Sequence, residues 1–223
     1  MITVSKEDYL KSILEAESEG EEVISARLAD WLKVSPPAVT MALRRLKKDG
    51  LVRVRSDGLV QLTAAGRKIA RKLTLRHHLI ERMLSELFGM EWWKVHDEAE
   101  RLEHAVSPDF ESKLLAKLGA DGACPHGNLS EMESPASRRH RGLVLIADAV
   151  PEKSYVVRGI YERDRRLLEF LEARGIRPGA RIRVLEHNYD QTLTLETANG
   201  TVSLGQAAAQ RVWVSPLEPR SRH

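Results

Sequence analysis

Only one cysteine, Cys124, occurs in 223 residues. That excludes an internal disulfide framework and fits a reducing compartment, so the cytoplasm is the expected location. No apolar run approaches the roughly 18 residues that read as a membrane span, and no membrane partner is expected. The opening Met-Ile-Thr-Val-Ser-Lys-Glu-Asp lacks the basic and then apolar pattern of a secretion signal. Long repeats and low-complexity segments are missing too. Present instead are 42% apolar and 30% charged residues. This is the composition of a soluble globular protein, long enough for one large domain or two to three small ones.

Net charge is only +3, but it is unevenly spread. From Lys33 to Lys72 there are eleven Lys/Arg against two Asp/Glu, and the acidic run Glu15, Glu17, Glu19, Glu21 and Glu22 precedes them. A basic block in a near-neutral chain reads as a footprint for a polyanion. A merely solubilising surface would mix the signs more evenly.

Periodicity predicts an amphipathic helix over 5–18, with Tyr9, Leu10, Ile13 and Leu14 on one face. A second helix runs 25–32 and a short break falls at Lys33-Val34. Ser35 is a good N-cap, Pro36 and Pro37 suit a first helical turn, and a third helix runs 38–49 and stops at Gly50. Strands 51–55 and 59–62 flank a Ser56-Asp57-Gly58 turn. This is the order of a winged helix-turn-helix, whose third helix lies in the major groove of double-stranded DNA. Arg44, Arg45, Lys47 and Lys48 sit on that helix and Arg53 and Arg55 on the wing; Arg67, Lys68, Arg71 and Lys72 follow. Phosphate contacts position such a domain, while few residues read base edges. Ser35, Pro37, Ala38, Thr40 and Met41, at the front of the helix, are small or apolar. They predict contacts to thymine methyls and DNA shape rather than bidentate guanine reading.

Thr63 caps a long helix over 64–88, and Trp92 and Trp93 open the next, which ends before Ser107-Pro108; a third helix covers 109–118. Leu79, Ile80, Met83, Leu84, Leu87, Trp92, Val95 and Leu102 are more apolar surface than one small domain needs. A homodimer would bury it, and a two-fold axis suits a palindromic operator. Residues 119–142 read as a linker. Beyond 153 the pattern changes to strands at 154–160, 181–186, 192–197, 201–204 and 211–214, with one helix at 165–174. That predicts a small barrel. The fold class is therefore α+β: a winged helix-turn-helix (1–72), an all-α dimerisation region with linker (73–142) and a small β-barrel (143–223).

Residues 96–104 read His-Asp-Glu-Ala-Glu-Arg-Leu-Glu-His. On a helix Glu100, Glu103 and His104 fall at i, i+3 and i+4, with His96 one turn earlier, so they share a side. Carboxylates and imidazoles stacked this way repel unless a cation lies between them, and a divalent metal is the obvious candidate. A solvated charged face, with Arg101 neutralising one carboxylate, is the plainer alternative. His77 and Glu81, four apart, can also reach one ion.

With these residues in view, the chain resembles the metal-dependent repressors of the diphtheria toxin repressor and manganese transport repressor type, over nearly its whole length. The motifs are Ser-Pro-Pro-Ala-Val-Thr at 35–40, Arg-His-His-Leu-Ile-Glu-Arg at 76–82, Val-His-Asp-Glu-Ala-Glu-Arg-Leu-Glu-His at 95–104 and Cys-Pro-His-Gly-Asn at 124–128. The resemblance implies that the C-terminal barrel is SH3-like (ferrous-transport-A-like). It also implies a primary metal site of Asp8, His77, Glu100, Glu103 and His104. The family's iron branch has methionine and cysteine where this chain has Asp8 and Glu100, so the harder carboxylates favour Mn2+, with Fe2+ as the alternative. The manganese branch can carry a glutamate where this chain has Lys11, which counts against a two-manganese cluster using that position. Glu81, Cys124 and His126 match a secondary site, completed by Glu162, with Asp164 competing; His96 is a ligand in the iron branch.

The resemblance implies a DNA-binding homodimer, not an enzyme, that represses metal-uptake genes when metal is bound. An iron-responsive regulator of the same family is the alternative. A metal-dependent hydrolase would need an open coordination position, a cleft and a general base, and the His-Glu-x-x-His pattern is missing.

Overall fold

A computed structural model describes residues 4–217, and in it the chain divides into two compact units. The first runs to Ile80 and adds Arg101–Asp121 and Ser130–Pro135; the second takes Glu81–Glu100, Gly122–Leu129 and the chain from Ala136 on.

The first unit begins with α1 (Val4–Ser18), α2 (Ser25–Leu32) and α3 (Pro36–Lys48). Each puts its 3.6-residue apolar stripe into one core: Leu10, Ile13 and Leu14 from α1, Leu28 from α2, and Val39, Leu43 and Leu46 from α3. Burying each such side chain is worth roughly 1.5–3 kcal/mol. Lys33 adopts the left-handed conformation that ends α2, at the expected break. The Ser35 hydroxyl accepts from the Ala38 N–H at 3.4 Å, and Pro36 occupies the first turn of α3. The wing follows as β1 (Val52–Val54) and β2 (Val60–Leu62), antiparallel, with Val52 opposite Leu62 and Val54 opposite Val60. It is shorter than the sequence suggests, because Gly58 (φ +85°) and the Asp57 side chain draw the flanking residues into the turn.

Next comes α4 (Ala64–Arg82), whose first turn is capped by Thr63 accepting from the Gly66 N–H at 3.1 Å. A side chain at Gly66 would lie 2.0 Å from the Leu51 carbonyl oxygen, so only glycine lets α4 approach the wing so closely. After Arg82 the helix widens to a π-helical turn, Met83–Leu87, and ends at Gly89 (φ +67°). The next helix, α5 (Val95–Leu102), starts later than expected. Trp92 and Trp93 instead pack against the core of the second unit, where the Trp92 indole donates to Glu172 at 2.7 Å. It also stops earlier: the Ala105 N–H bonds the Leu102 carbonyl at 2.9 Å, so Glu103 and His104 lie in a tightened turn beyond it. Then α6 (Pro108–Leu118) is capped by Ser107.

In the second unit α7 (Pro135–His140) lies inside the stretch that reads as linker, and β3 (Val144–Leu145) follows it. The remaining elements are β4 (Ser154–Ile160), α8 (Arg165–Glu172), β5 (Arg181–His187), β6 (Leu193–Thr197), β7 (Gly200–Leu204), α9 (Gln206–Ala209) and β8 (Val212–Pro216). They form one antiparallel sheet, ordered β3-β8-β4-β5-β6-β7. Register shifts near Val157 and Val184 bend it. Its inner face buries Val157, Val184, Leu195 and Val214 with Leu168 and Leu171 of α8. Six strands replace the expected five because β3 is two residues long, too short to show alternation.

Candidate metal centres and DNA-reading face

In the first unit Asp8, Glu103 and His104 offer donor atoms all within 4.8 Å of one another. Asp8 projects from α1, and the turn after α5 delivers the other two. His104 Nε2 lies 2.8 Å from Asp8 Oδ1 and 3.5 Å from Glu103 Oε1, and its Nδ1 lies 3.2 Å from Glu7 Oε2. Burial raises the Asp8 pKa, partly offset by His104. Burial would raise Glu103 as well, but the His77 bond and the Lys11 charge outweigh it and hold Glu103 below the usual carboxylate range. His77 is fully buried, its Nδ1 2.6 Å from Glu103 Oε2. Buried Lys11 donates to both Glu103 oxygens, at 2.9 and 3.1 Å. Glu100 is not in the Asp8 group. It stands 3.6 Å from His96 Nε2 and 3.9 Å from Arg163, in the second unit.

The second unit buries a second cluster: Glu81, His96, Cys124, His126 and Glu162. Glu81, Cys124 and Glu162 offer atoms within 4.8 Å of one another, as do Glu81, His96 and Glu162. His126 Nδ1 lies 3.5 Å from Glu81 and 3.7 Å from Glu162, and the Cys124 thiol donates to Glu162 at 3.5 Å. A turn from Cys124 to Asn128 supplies two of these groups. It docks on β4 through the Ile160 N–H, which donates to the His126 carbonyl at 3.0 Å. Gly127 makes this docking possible, since a side chain there would lie 2.0 Å from the Arg158 carbonyl oxygen. Burial lowers the His96 pKa, but Glu100, Glu81 and Glu162 outweigh it and raise it to about 10. Burial, then the charges of Glu81 and Glu162, push the Cys124 thiol well up. Asp164 caps α8, accepting from the Leu167 N–H, so of the two competing acids Glu162 faces the cluster.

Both donor sets fit a divalent cation. Two buried carboxylates, two imidazoles and a thiol are costly to leave uncompensated. His126 is 0% exposed, and among the described residues its Nε2 has no hydrogen-bond partner. The first set is purely carboxylate and imidazole, a harder donor set than the second.

Ser35, Pro37, Ala38, Thr40, Met41, Arg44, Arg45 and Lys47 are exposed on or beside α3, opposite its buried Val39, Leu43 and Leu46. Met41 is 55% exposed, which is unusual for a large apolar side chain. Arg53 and Arg55 are exposed on the wing, and Arg55 pairs with Asp57 at 2.7 Å. Part of the acidic run is structural: Glu17 accepts from Arg67 at 2.6 Å.

Asn128 and Glu7 escaped the sequence reading, and Lys11 entered it only as a departure from the family pattern. Asn128 donates to Glu162 at 2.6 Å and to the Ile160 carbonyl at 3.0 Å, orienting the carboxylate. Its place within the Cys-Pro-His-Gly-Asn motif was the available signal. Glu7 reaches His104, and Lys11 is buried against Glu103 rather than solvated. Neither has a periodic signature distinct from an ordinary charged helix face.

A basic winged helix joined to clustered metal donors defines a metal-responsive DNA-binding regulator. Comparison with known proteins agrees. Residues 1–60 match the iron dependent repressor N-terminal DNA binding domain. Residues 63–130 match the iron dependent repressor metal binding and dimerisation domain, and residues 144–216 the FeoA domain. The chain is 33% identical to the diphtheria toxin repressor of Corynebacterium diphtheriae over 84% of its length and 87% of that protein's. It is 33% identical to the iron-dependent repressor IdeR of Mycobacterium leprae, over 95% and 96%. A solved manganese-dependent transcriptional repressor in complex with manganese superposes with a TM-score of 0.82 at 33% identity, over 95% of this chain and all of that one. The manganese regulator SloR superposes with a TM-score of 0.78 at 27% identity, over 97% and 100%.

The chain belongs to the diphtheria toxin repressor family of metal-dependent transcriptional repressors, with a C-terminal SH3-like FeoA domain. Its members are repressors, not enzymes, and DNA and a second copy of the chain are its partners. Among the described residues no helix is long and apolar enough to cross a membrane.

Proposed function

We propose that the chain is a cytoplasmic, manganese-responsive repressor of metal-uptake genes. It would read a palindromic operator as a homodimer. The observation that carries the choice of ion is the purely carboxylate and imidazole set of Asp8, Glu103 and His104. Such donors favour a hard cation by ligand type rather than by raw affinity. Ferrous iron is the second reading, favoured by the softer Cys124 in the other cluster and by the iron-dependent relatives. The division into a reading head (1–72), a pairing region (73–142) and a sheet domain (143–223) is likewise our reading.

A bound divalent ion supplies positive charge where Asp8 and Glu103 bring two carboxylates together. Asp8 stands on α1, whose other face is part of the winged-helix core. Glu103 and His104 follow α5. Held on a common ion, these residues would fix α1, and with it α3, relative to the pairing region. The ordering needed to place two recognition helices at operator spacing is then met before DNA arrives. A coupling of about 1–3 kcal/mol is typical of such linkage. Leu102, Phe110 and Leu115, exposed large apolar residues of this region, support pairing with a second copy. Glu81, His96, Cys124, His126 and Glu162 would hold a second ion that steadies the second unit.

Asp8→Ala should leave a folded dimer whose DNA affinity no longer rises with manganese. An undiminished manganese response in that variant would refute the assignment. Titrations at one fixed salt concentration with manganese, ferrous iron, zinc or chelator choose the ion, since the electrostatic part of DNA affinity varies steeply with salt.

A further inference from the structure

A cleft of about 1770 Å³ opens on the second unit, and none of the clustered metal donors lines it. Small-ligand sites commonly measure about 300–1,000 Å³, so a nucleotide-sized molecule has room here. Four cations line the cleft: Lys153 just ahead of β4, Arg177 after α8, and Arg181 and Arg183 on β5. A tight turn through Pro178 and Gly179 (φ +83°) sets Arg177 beside that strand, with the Ala180 N–H donating to the Arg177 carbonyl at 2.9 Å. Arg181 and Arg183, two apart on β5, share one face of the sheet. Arg183 pairs with exposed Glu152 at 2.5 Å. Lys153, Arg177 and Arg181 are exposed, and among the described residues none of them forms an ion pair. Two acids also line the cleft. Glu172 accepts from the Trp92 indole, and Glu196 stands opposite Arg183 in the β5–β6 register. Three cations thus share one concavity without a carboxylate of their own. Trp92, Pro125 and Pro178 add apolar wall, and such walls focus the positive field into the opening.

We propose that this cleft is a binding site for a small phosphate compound carrying at least two phosphate groups. Guanidinium forks match phosphate oxygens in pairs, and an ammonium adds a compact point charge. Arg177, Arg181 and Lys153 come from separate segments, so they suit several linked anionic groups better than one. Glu196 opposes the ligand and sets a limit on its affinity. A free phosphate chain and a nucleotide share this chemistry; they differ in whether a base also rests on the apolar wall. The site is independent of which ion fills either metal centre.

Isothermal titration of the metal-free, full-length protein tests it, with tripolyphosphate, ATP and citrate as probes at one salt concentration. Tripolyphosphate should bind saturably, and more tightly than citrate. Arg177→Ala and Arg181→Ala should each weaken it about fivefold to tenfold, while Glu196→Gln should strengthen it. Arg44→Ala, on the basic recognition helix, should leave this binding unchanged. Equal affinity for ATP and tripolyphosphate supports recognition of the phosphate chain alone; tighter ATP binding supports a nucleotide. The proposal is overturned if no saturable binding occurs, or if citrate binds as tightly as tripolyphosphate. It is overturned as well if folded Arg177→Ala and Arg181→Ala variants bind like the wild type, or if Arg44→Ala weakens binding as much as they do.

Discussion

His96 balances charge in the second cluster. Its ring is buried beside Glu81 at 3.2 Å and Glu162 at 4.0 Å. Burial favours the neutral ring, but the carboxylates win and raise its pKa to about 10, above the ordinary value of 6.5. A group whose pKa is raised by folding stabilises fully below its unfolded value and loses that contribution as pH rises through the folded one. In chelator-treated protein, thermal stability should therefore fall between about pH 6.5 and pH 10 through this group. His96→Gln should flatten that fall in a series of melting curves; an unchanged slope would show that the imidazolium is not the counter-charge. Spacing on an ideal helix puts Glu100, Glu103 and His104 on one side. The backbone bond from Ala105 to Leu102 ends α5 inside the motif, so Glu103 and His104 leave the ideal helix that this spacing assumes. No residue type in the stretch announces that bond. Lys11 was visible in the sequence only as a departure from a pattern; its burial depends on Glu103, 92 positions away.

At the scale of elements, the helices with long apolar stripes were legible. Ser35, Pro36 and Gly50 marked α3 because capping chemistry is local. Short pieces were not: α7, α9 and β3 span too few residues for a period to emerge, and tertiary packing decides them. The Cys124–Asn128 turn belongs to this class. Its composition signals a loop, but only the fold reveals that it docks on β4. Gly127→Ala should disrupt it, since φ is +85° and the added methyl would lie 2.0 Å from the Arg158 oxygen. The left-handed backbone alone costs roughly 1–2 kcal/mol for a residue with a side chain. We expect a lower melting temperature and loss of the ion held by Cys124 and His126, read by calorimetry and by metal counting; an unaffected ion would detach the turn from that centre. On α3, Arg44→Ala should weaken binding about equally for all DNA sequences and reduce the salt dependence by about one counterion. A change confined to one base position would instead make Arg44 a base reader.

At the scale of the whole molecule, fold and family were legible because several independent signals agreed: a basic winged helix, a clustered His/Glu helix and a strand-rich C-terminal third. The hardness of the first donor set carries the choice of manganese, and the two centres differ in this respect. What unites them in function is linkage between ion and DNA. If ion binding raises DNA affinity by a given factor, DNA must raise ion affinity by that same factor. The most direct test is manganese affinity of the full-length protein, measured at one salt concentration with and without a duplex selected for binding. Manganese should bind more tightly with the duplex, by a factor of about 5–150, equal to manganese's effect on DNA affinity and abolished by Asp8→Ala. Manganese affinity that does not change when the duplex is added would contradict it.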